Sequence, residues 1–153
     1  MKIHIIGGPG SGKTYLANEL SGNLGIPHFD LDELQWDNQS GDYGTKRDPS
    51  ERDALLDKIL QQDDWIIEGV YHSWCRKCFE QADRIYLLSV PRHIYLYRII
   101  RRFVRRKIGL EKGKKETLKS LTALLKWADK FQHKNLNEIR EILTLYPDKV
   151  IEQ

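Results

Sequence analysis

The chain has 153 residues, 40% of them hydrophobic and 31% charged, with a formal net charge of +3. That length supports one ordinary domain, and the composition fits a folded globular protein rather than a disordered or fibrous one. No apolar run approaches the roughly 18 residues of a membrane span, the opening stretch turns to glycine too soon for a secretory leader, and the two cysteines are too few for a disulfide scaffold; a reduced, cytoplasmic protein with no membrane partner is expected.

Short apolar runs alternate with helical stretches, the pattern of βαβ units on a parallel sheet. Lys2–Ile6 reads as a buried strand, ended by Gly7-Gly8-Pro9-Gly10. Lys13–Asn23 reads as a helix closed by Gly25, and Pro27–Leu31 as a second short strand. Leu34–Pro49 is polar and irregular. Ser50 is the expected N-cap of a helix that carries Leu55, Leu56, Ile59 and Leu60 on one side. Trp65-Ile66-Ile67 is a third strand, ending at Glu68-Gly69, and Tyr71–Gln81 reads as helical. Arg84–Val90 is a fourth strand, followed by Pro91 and a long helix to about Ile108, broken at Gly109 and Gly113. A helix over about Glu116–Phe131 has Leu118, Leu121, Leu125 and Ala128 as its stripe. Asn135 and Glu138 resemble a capping box for a helix to Leu145, and Pro147 turns the chain into a last strand, Lys149–Glu152. Five strands alternating with helices imply a three-layer α/β fold with an open parallel sheet and no dividing linker.

Residues 7 to 14, Gly7-Gly8-Pro9-Gly10-Ser11-Gly12-Lys13-Thr14, match GxxxxGK(S/T), the phosphate-binding Walker A loop, between a strand and a helix as the mechanism requires. Its amides and the helix N-terminus cradle phosphate oxygens. Gly8, Pro9, Gly10, Ser11, Gly12, Lys13 and Thr14, with the adjoining Tyr15, are therefore the expected ATP contacts. The Lys13 ammonium reaches the β- and γ-phosphates and the Thr14 hydroxyl ligates magnesium.

Three further features bear on the reaction. Asp30 and Asp32 close the second strand, where strand alternation would put both on one side and ligands collect in open parallel sheets. One acid could orient magnesium-bound water and Asp32 could accept a substrate proton; the alternative is a turn or helix cap. Glu68 ends the third strand at the position of a magnesium-holding Walker B acid, or is simply an acid leaving the core. Gly69 would let the backbone approach a ligand closely. The helix after Pro91 places Arg98, Arg101, Arg102 and Arg105 on one face, with Leu96, Ile100, Phe103 and Val104 opposite. Such a face binds a phosphate in transfer, a nucleic acid backbone, or only water. Charge is split accordingly: Asp30 to Glu68 holds twelve acids against four bases, and Arg92 to Lys119 eleven bases against two acids.

The P-loop, Asp30-Leu31-Asp32-Glu33-Leu34-Gln35-Trp36, Trp65–Tyr71, and the stretch from Ala82 through Pro91 to Arg98 and Arg101 resemble the adenylate-kinase-like group known as DNA topology modulation proteins. That group is related to nucleoside monophosphate kinases and to shikimate and gluconate kinases. The resemblance covers nearly the whole chain and implies a single kinase-like domain over 1–153. It further implies strand order 2-3-1-4-5, ATP and magnesium at the loop, a small-molecule acceptor after strand two, and a basic lid within about 92–119. Lys13 and Thr14 match the ATP and magnesium positions. Asp30 and Asp32 match the paired acids near metal and acceptor hydroxyl, with Glu68 beside the metal. Arg98, Arg101 and Arg102 are lid candidates, of which Arg98 and Arg102 are taken as catalytic. Adenylate kinases follow the acid with Gly-Phe-Pro-Arg; here it is Gly69-Val70-Tyr71-His72, so the arginine that grips a monophosphate is absent there. Arg47, Arg52 and Arg76 are the substitutes, and spacing selects none of them. Adenylate kinases also continue past the fifth strand to a loop beside the adenine and then a closing helix; this sequence reaches Gln153 just past that strand, so either a different hold on the base or the lack of that helix is expected.

His72, Cys75 and Cys78 form His-x-x-Cys-x-x-Cys, but zinc takes four ligands and no second cysteine pair exists. Trp36, Trp65, Trp74 and Trp127 are expected in the core or as pocket walls, and Trp36 and Tyr43 as candidates to line a substrate pocket. The leading expectation is an ATP-dependent phosphotransferase. The alternatives are a nucleotide-regulated DNA-binding protein and a simple nucleotide hydrolase.

Overall fold

The structure, a computed structural model, describes residues 1–37, 45–111 and 117–153. Five parallel strands form one sheet in the order β2-β3-β1-β4-β5. They are β1 (Lys2–Gly7), β2 (His28–Asp30), β3 (Trp65–Gly69), β4 (Arg84–Leu88) and β5 (Val150–Glu152). The helices are α1 (Lys13–Leu24), α2 (Leu31–Gln35), α3 (Pro49–Leu60), α4 (Arg76–Gln81), α5 (Arg92–Lys107), α6 (Leu118–Lys130) and α7 (Leu136–Leu143). The strand order and the α/β class agree with the expectation.

Strand alternation divides the core. Ile3 and Ile5 of β1 join Ile66, Tyr86 and Leu88 against Ala17 of α1 on one face. Ile6 joins Ile67, Ile85 and Leu87 against Phe79, Leu56, Ile59 and Ile139 on the other. Strands with both faces covered are apolar throughout, as these sequences are. His4 and Glu68 are the buried polar exceptions on the strands: His4 is fully buried, its Nδ1 lies 3.1 Å from the Ile67 carbonyl, and its ring stands edge-on to Phe79. A third cluster of Tyr95, Ile99 and Ala128, with Leu121, Leu124 and Leu125 around it, joins α5 to α6. Arg92 clamps Asp129 through two hydrogen bonds of 2.9 Å, and the Tyr95 hydroxyl donates to the same carboxylate at 2.6 Å. No helix of the described residues is long and apolar enough to cross a membrane.

Several element boundaries differ from the sequence reading, each for a local reason. Chain 31–35 is helical rather than strand and coil, because the Asp30 side chain accepts from the Asp32 amide and caps the turn. Asp48, not Ser50, caps α3, with Pro49 in the first turn where its missing N–H costs nothing. The helix expected from Tyr71 begins only at Arg76; the Cys75 thiol donates to the Tyr71 carbonyl at 2.9 Å and holds the intervening turn. Asn135 forms no capping box. The chain stays helical through a wide π turn, Phe131–Asn135, and runs straight on into α7. Leu118 is 66% exposed and leaves the stripe of α6 to Leu121, Leu124, Leu125 and Ala128. Gly41, Gly44, Gly113 and the expected helix start at Glu116 lie outside the described residues.

Gly69 also plays a part in packing. A Cβ there would lie 2.9 Å from both Cβ and Cδ1 of Leu31, so the absent side chain seats α2 against the end of β3. Gly69→Ala is therefore expected to destabilise the protein by about 1–3 kcal/mol through overpacking. Urea unfolding of parent and variant measures it; a difference below about 0.5 kcal/mol would show that Leu31 yields freely.

Candidate active site

Register fixes which acids meet. Parallel pairing sets Asp30 opposite Glu68 and Glu68 opposite Ile5, just before β1 gives way to the phosphate loop. The acids of two strands are thus collected at the carboxyl edge, beside the first turn of α1. Gly10 and Gly12 take positive φ values of 73° and 102°, a conformation that favours glycine, and Gly12 occupies the N-cap of α1. The N-cap makes no side-chain bond and the first turn carries no acid, which leaves its amides disposed toward an anion.

The Lys13 ammonium lies inside this loop and donates to the Gly8 carbonyl at 3.0 Å. Burial holds its pKa below the ordinary value, although Glu68, Asp32 and Asp30 pull the other way. The Thr14 hydroxyl donates to Glu68 Oε1 at 2.5 Å, and His28 Nε2 lies 3.8 Å from the same oxygen. Burial pushes the Glu68 carboxyl up, but His28, Lys13 and Thr14 more than offset it, so its pKa falls below the usual range. Asp30 goes the other way: burial first and the Glu68 charge second raise it to about 6. Asp32 stands on α2 rather than on the strand, and its Oδ1 accepts from the Tyr71 hydroxyl at 2.7 Å. Burial and Asp32 together push the Tyr71 phenol up.

Apart from His28, these groups line one cleft of about 1490 Å³. Pro9 to Tyr15, Asp30, Asp32 and Glu68 all border it, so every expected site residue of the loop and strands except Gly8 lies along its wall, and Gly8 sits directly behind, against the Phe131 ring. Among the described residues no three His, Cys, Asp or Glu side chains form a ready-made metal cage. Thr14, Glu68 and Asp30 border one stretch of the cleft, and so few oxygen donors would suit only a cation that keeps most of its water shell, as magnesium does.

The arginine helix needs a correction. It docks through Tyr95, Ile99 and Phe103, while Ile100 and Val104 are 45% and 47% exposed. The buried row is thus turned by about one residue from the expected one. Arg98, Arg102 and Arg106 border the cleft, and Arg101 and Arg105 do not. Arg105 lies 3.5 Å from Glu111 instead. Arg98 donates to the carbonyls of Gly10 and Ser11 at 3.1 and 3.0 Å and so lies across the phosphate loop.

Tyr71, His28, Glu33 and Arg106 were not singled out from sequence. Arg106 continues the strict four-residue spacing of Arg98 and Arg102, which was the available signal. Tyr71 and His28 matter through contacts distant in sequence. Trp36 and Trp127 line the cleft, while Trp65 is fully buried. Tyr43 lies outside the described residues. Cys75 and Cys78 are buried, free thiols. His72, 2.8 Å from Glu138, is turned to that carboxylate.

No family model matches the chain. An uncharacterized protein of Bacillus subtilis (strain 168), YqaC, is 33% identical over 98 residues, 63% of this chain and 53% of that protein. The chain thus matches about half the length of this curated relative. A gluconokinase from Sinorhizobium meliloti 1021 superposes over 99% of this chain and 80% of its own with TM-score 0.57 at 15% identity. A shikimate kinase from Acinetobacter baumannii, in complex with shikimate, covers 87% of this chain and 78% of its own with TM-score 0.50 at 19% identity. At these identities the likeness concerns fold alone, the α/β architecture with a five-stranded parallel sheet.

The raised Asp30 carboxyl has a measurable consequence. Its folded pKa, about 6, exceeds the ordinary 3.8, so the native state holds this proton more tightly than the unfolded chain. Its contribution to stability is present below the ordinary pKa and is lost as pH rises toward 6. Asp30→Asn removes that loss while keeping an oxygen to cap α2. Relative to the parent, the variant is expected to gain about 2 kcal/mol between pH 4 and pH 7.5. Urea unfolding at the two pH values, without divalent cations, tests it; a pH-independent difference would mean that Asp30 titrates normally.

Proposed function

We propose that this protein is an ATP- and magnesium-dependent phosphotransferase acting on the hydroxyl group of a small molecule. The observation that carries the reading is the convergence, in one cleft, of the loop lysine, the Thr14–Glu68 pair, the Asp32 carboxylate and the Arg98–Arg102–Arg106 row. A nucleotide hydrolase needs the first two only. A duplex-binding helix would present its arginines outward, whereas three of them border the cleft. That favours phosphoryl transfer over the DNA-binding reading that the resemblance to topology modulation proteins raises.

Each residue has a part. The loop amides and Lys13 would bind and orient the polyphosphate. Thr14, with Glu68 and Asp30 behind it, would hold magnesium, which when bound neutralises charge on the β- and γ-oxygens. Asp32, held by Tyr71, is placed to take the acceptor's proton. The acceptor oxygen forms the new bond to phosphorus as the bridging oxygen leaves on ADP with its electron pair. Arg98 and Arg102 would bind the charge on the phosphoryl oxygens in transit, and the row closes water out.

Lys13→Ala is expected to weaken ATP binding in magnesium by at least about tenfold, since it removes a desolvated cation from the phosphate cradle. Isothermal titration with parent and variant tests this, and equal affinities would remove the loop from the site. Asp32→Asn separates chemistry from binding. It is expected to leave ATP affinity within about twofold and to lower acceptor-dependent turnover about 100-fold or more. Unchanged turnover would make Asp32 a structural partner of Tyr71.

A further inference from the structure

The arginine helix carries a second apolar row that packs against nothing among the described residues. Tyr97, Ile100, Val104 and Ile108 recur at intervals of three or four residues and so share one face of α5 and its cap. With about 100° between successive residues they fall within an arc of roughly 80°, on the far side of the helix from Tyr95, Ile99 and Phe103. These four and Leu110 are between 45% and 66% exposed. Leu110 follows a fixed turn: its amide donates to the Arg105 carbonyl at 2.9 Å, and that of Gly109, at φ 78°, to the Arg106 carbonyl at 3.2 Å. Such a turn carries the residue after the glycine back beside the last helical turn. Singly exposed apolar residues are ordinary, whereas a contiguous row of five marks a docking surface.

Charge decides what this row can meet. Helix α5 holds six arginines, one lysine and no acid. Arg101 and Lys107, both exposed, flank the row on its two sides. Glu111 lies 3.5 and 3.9 Å from Arg105 and Arg106 and is turned to them rather than to the flanking pair. A second copy docked through the same row would set these cations against their own kind, because the helix supplies no acid to meet them. A nucleic acid backbone would match the charge but would leave the isoleucine, valine and leucine side chains without an apolar counterpart. As the outer side of a helix the row is a ridge, which fits a plane and offers a peptide no groove.

We propose that α5 docks this protein on an anionic lipid surface, with Tyr97, Ile100, Val104, Ile108 and Leu110 seated among the headgroups and Arg101 and Lys107 on the lipid phosphates. An apolar row bordered by cations is what an interfacial helix presents, and its binding draws on buried apolar area and headgroup attraction together. The expectation of no membrane partner rested on the lack of a spanning run, which a helix lying in the plane of the interface does not need. Arg98, Arg102 and Arg106, which border the cleft, project from the other side of the helix. The cleft therefore stays open to solutes in the docked protein. Docking of this kind is independent of any phosphoryl transfer in the cleft.

The test is flotation of the full chain with vesicles of phosphatidylcholine alone and of phosphatidylcholine with an equal part of phosphatidylglycerol. Partitioning into the anionic vesicles is expected to exceed that into the neutral ones by at least about tenfold and to fall as salt rises. Ile100→Ser with Val104→Ser, both at exposed positions, is expected to lower it by at least about tenfold, and Arg101→Glu to lower it as well. A second measurement reads insertion without those variants. Val104→Cys is labelled with an environment-sensitive fluorophore, which the buried Cys75 and Cys78 do not take up; anionic vesicles are expected to raise its emission, and brominated acyl chains to quench it. Failure to bind anionic vesicles overturns the proposal, as does equal binding to neutral ones. Binding that the double substitution leaves unchanged, with no quenching of the label, also overturns it and assigns the attraction to the arginines alone. Sedimentation showing a dimer that the double variant breaks would give the row to a second copy, and duplex DNA released by the same variant would give it to nucleic acid; either result overturns the lipid assignment.

Discussion

Glu68 is 2% exposed, yet its carboxyl pKa lies below the ordinary range, and a buried charge of that kind persists only where it is well paired. Its partners come from three separate segments: the Thr14 hydroxyl from the first turn of α1, the Lys13 ammonium from the phosphate loop and the His28 ring from β2. Parallel register delivers it to them, because pairing with Ile5 places it level with the end of β1. Sheet topology and site electrostatics therefore depend on one another. A slip of one residue in β3 would turn Glu68 to the opposite face and leave Lys13 buried without its main counter-charge.

The second consequence of this pairing falls on Asp30. Glu68 is held ionised, and Asp30, its neighbour across the β2–β3 pair, bears the repulsion. Two carboxylates side by side with pKa values driven apart are poised to accept a cation. The arginine row balances the same ledger from the other side. It is kept in place by the Arg92–Asp129–Tyr95 clamp and by Arg98 lying on loop carbonyls, so Arg98, Arg102 and Arg106 border the same cleft as the acids.

Much of this was legible in the chain because it is written in local or periodic signals. The strands are short apolar runs, the loop is a contiguous motif, and both survive any tertiary context. The strand order came from resemblance, since alternation of elements alone does not rank neighbours. Where the reading failed, a side chain overrode a pattern. Asp30 caps its own helix and so moved Asp32 off the strand, though both acids still reach the cleft. The arginine helix carries apolar residues at 95, 96, 99, 100, 103 and 104, two adjacent rows that periodicity cannot tell apart. Packing against α6 selected the row that begins with Tyr95 and Ile99, and that choice decided which arginines meet the loop. Tyr71 and His28 act through partners 39 and 40 residues away, beyond any local signal.

The π turn at Phe131–Asn135 changes the phase of the helix that contains it. Eighteen residues make five full turns of a regular α-helix, so Leu121 and Ile139 would otherwise share one face. The wide turn takes up about one extra residue and rotates everything beyond it by roughly 100°. Leu121 accordingly faces α5 in the third cluster while Ile139 is fully buried in the sheet core. A single unbroken rod can then serve two partners that lie in different directions, bracing the arginine helix with one end and closing the sheet with the other. A deletion of one residue within 131–135 would restore the regular phase and force the rod to give up one of the two.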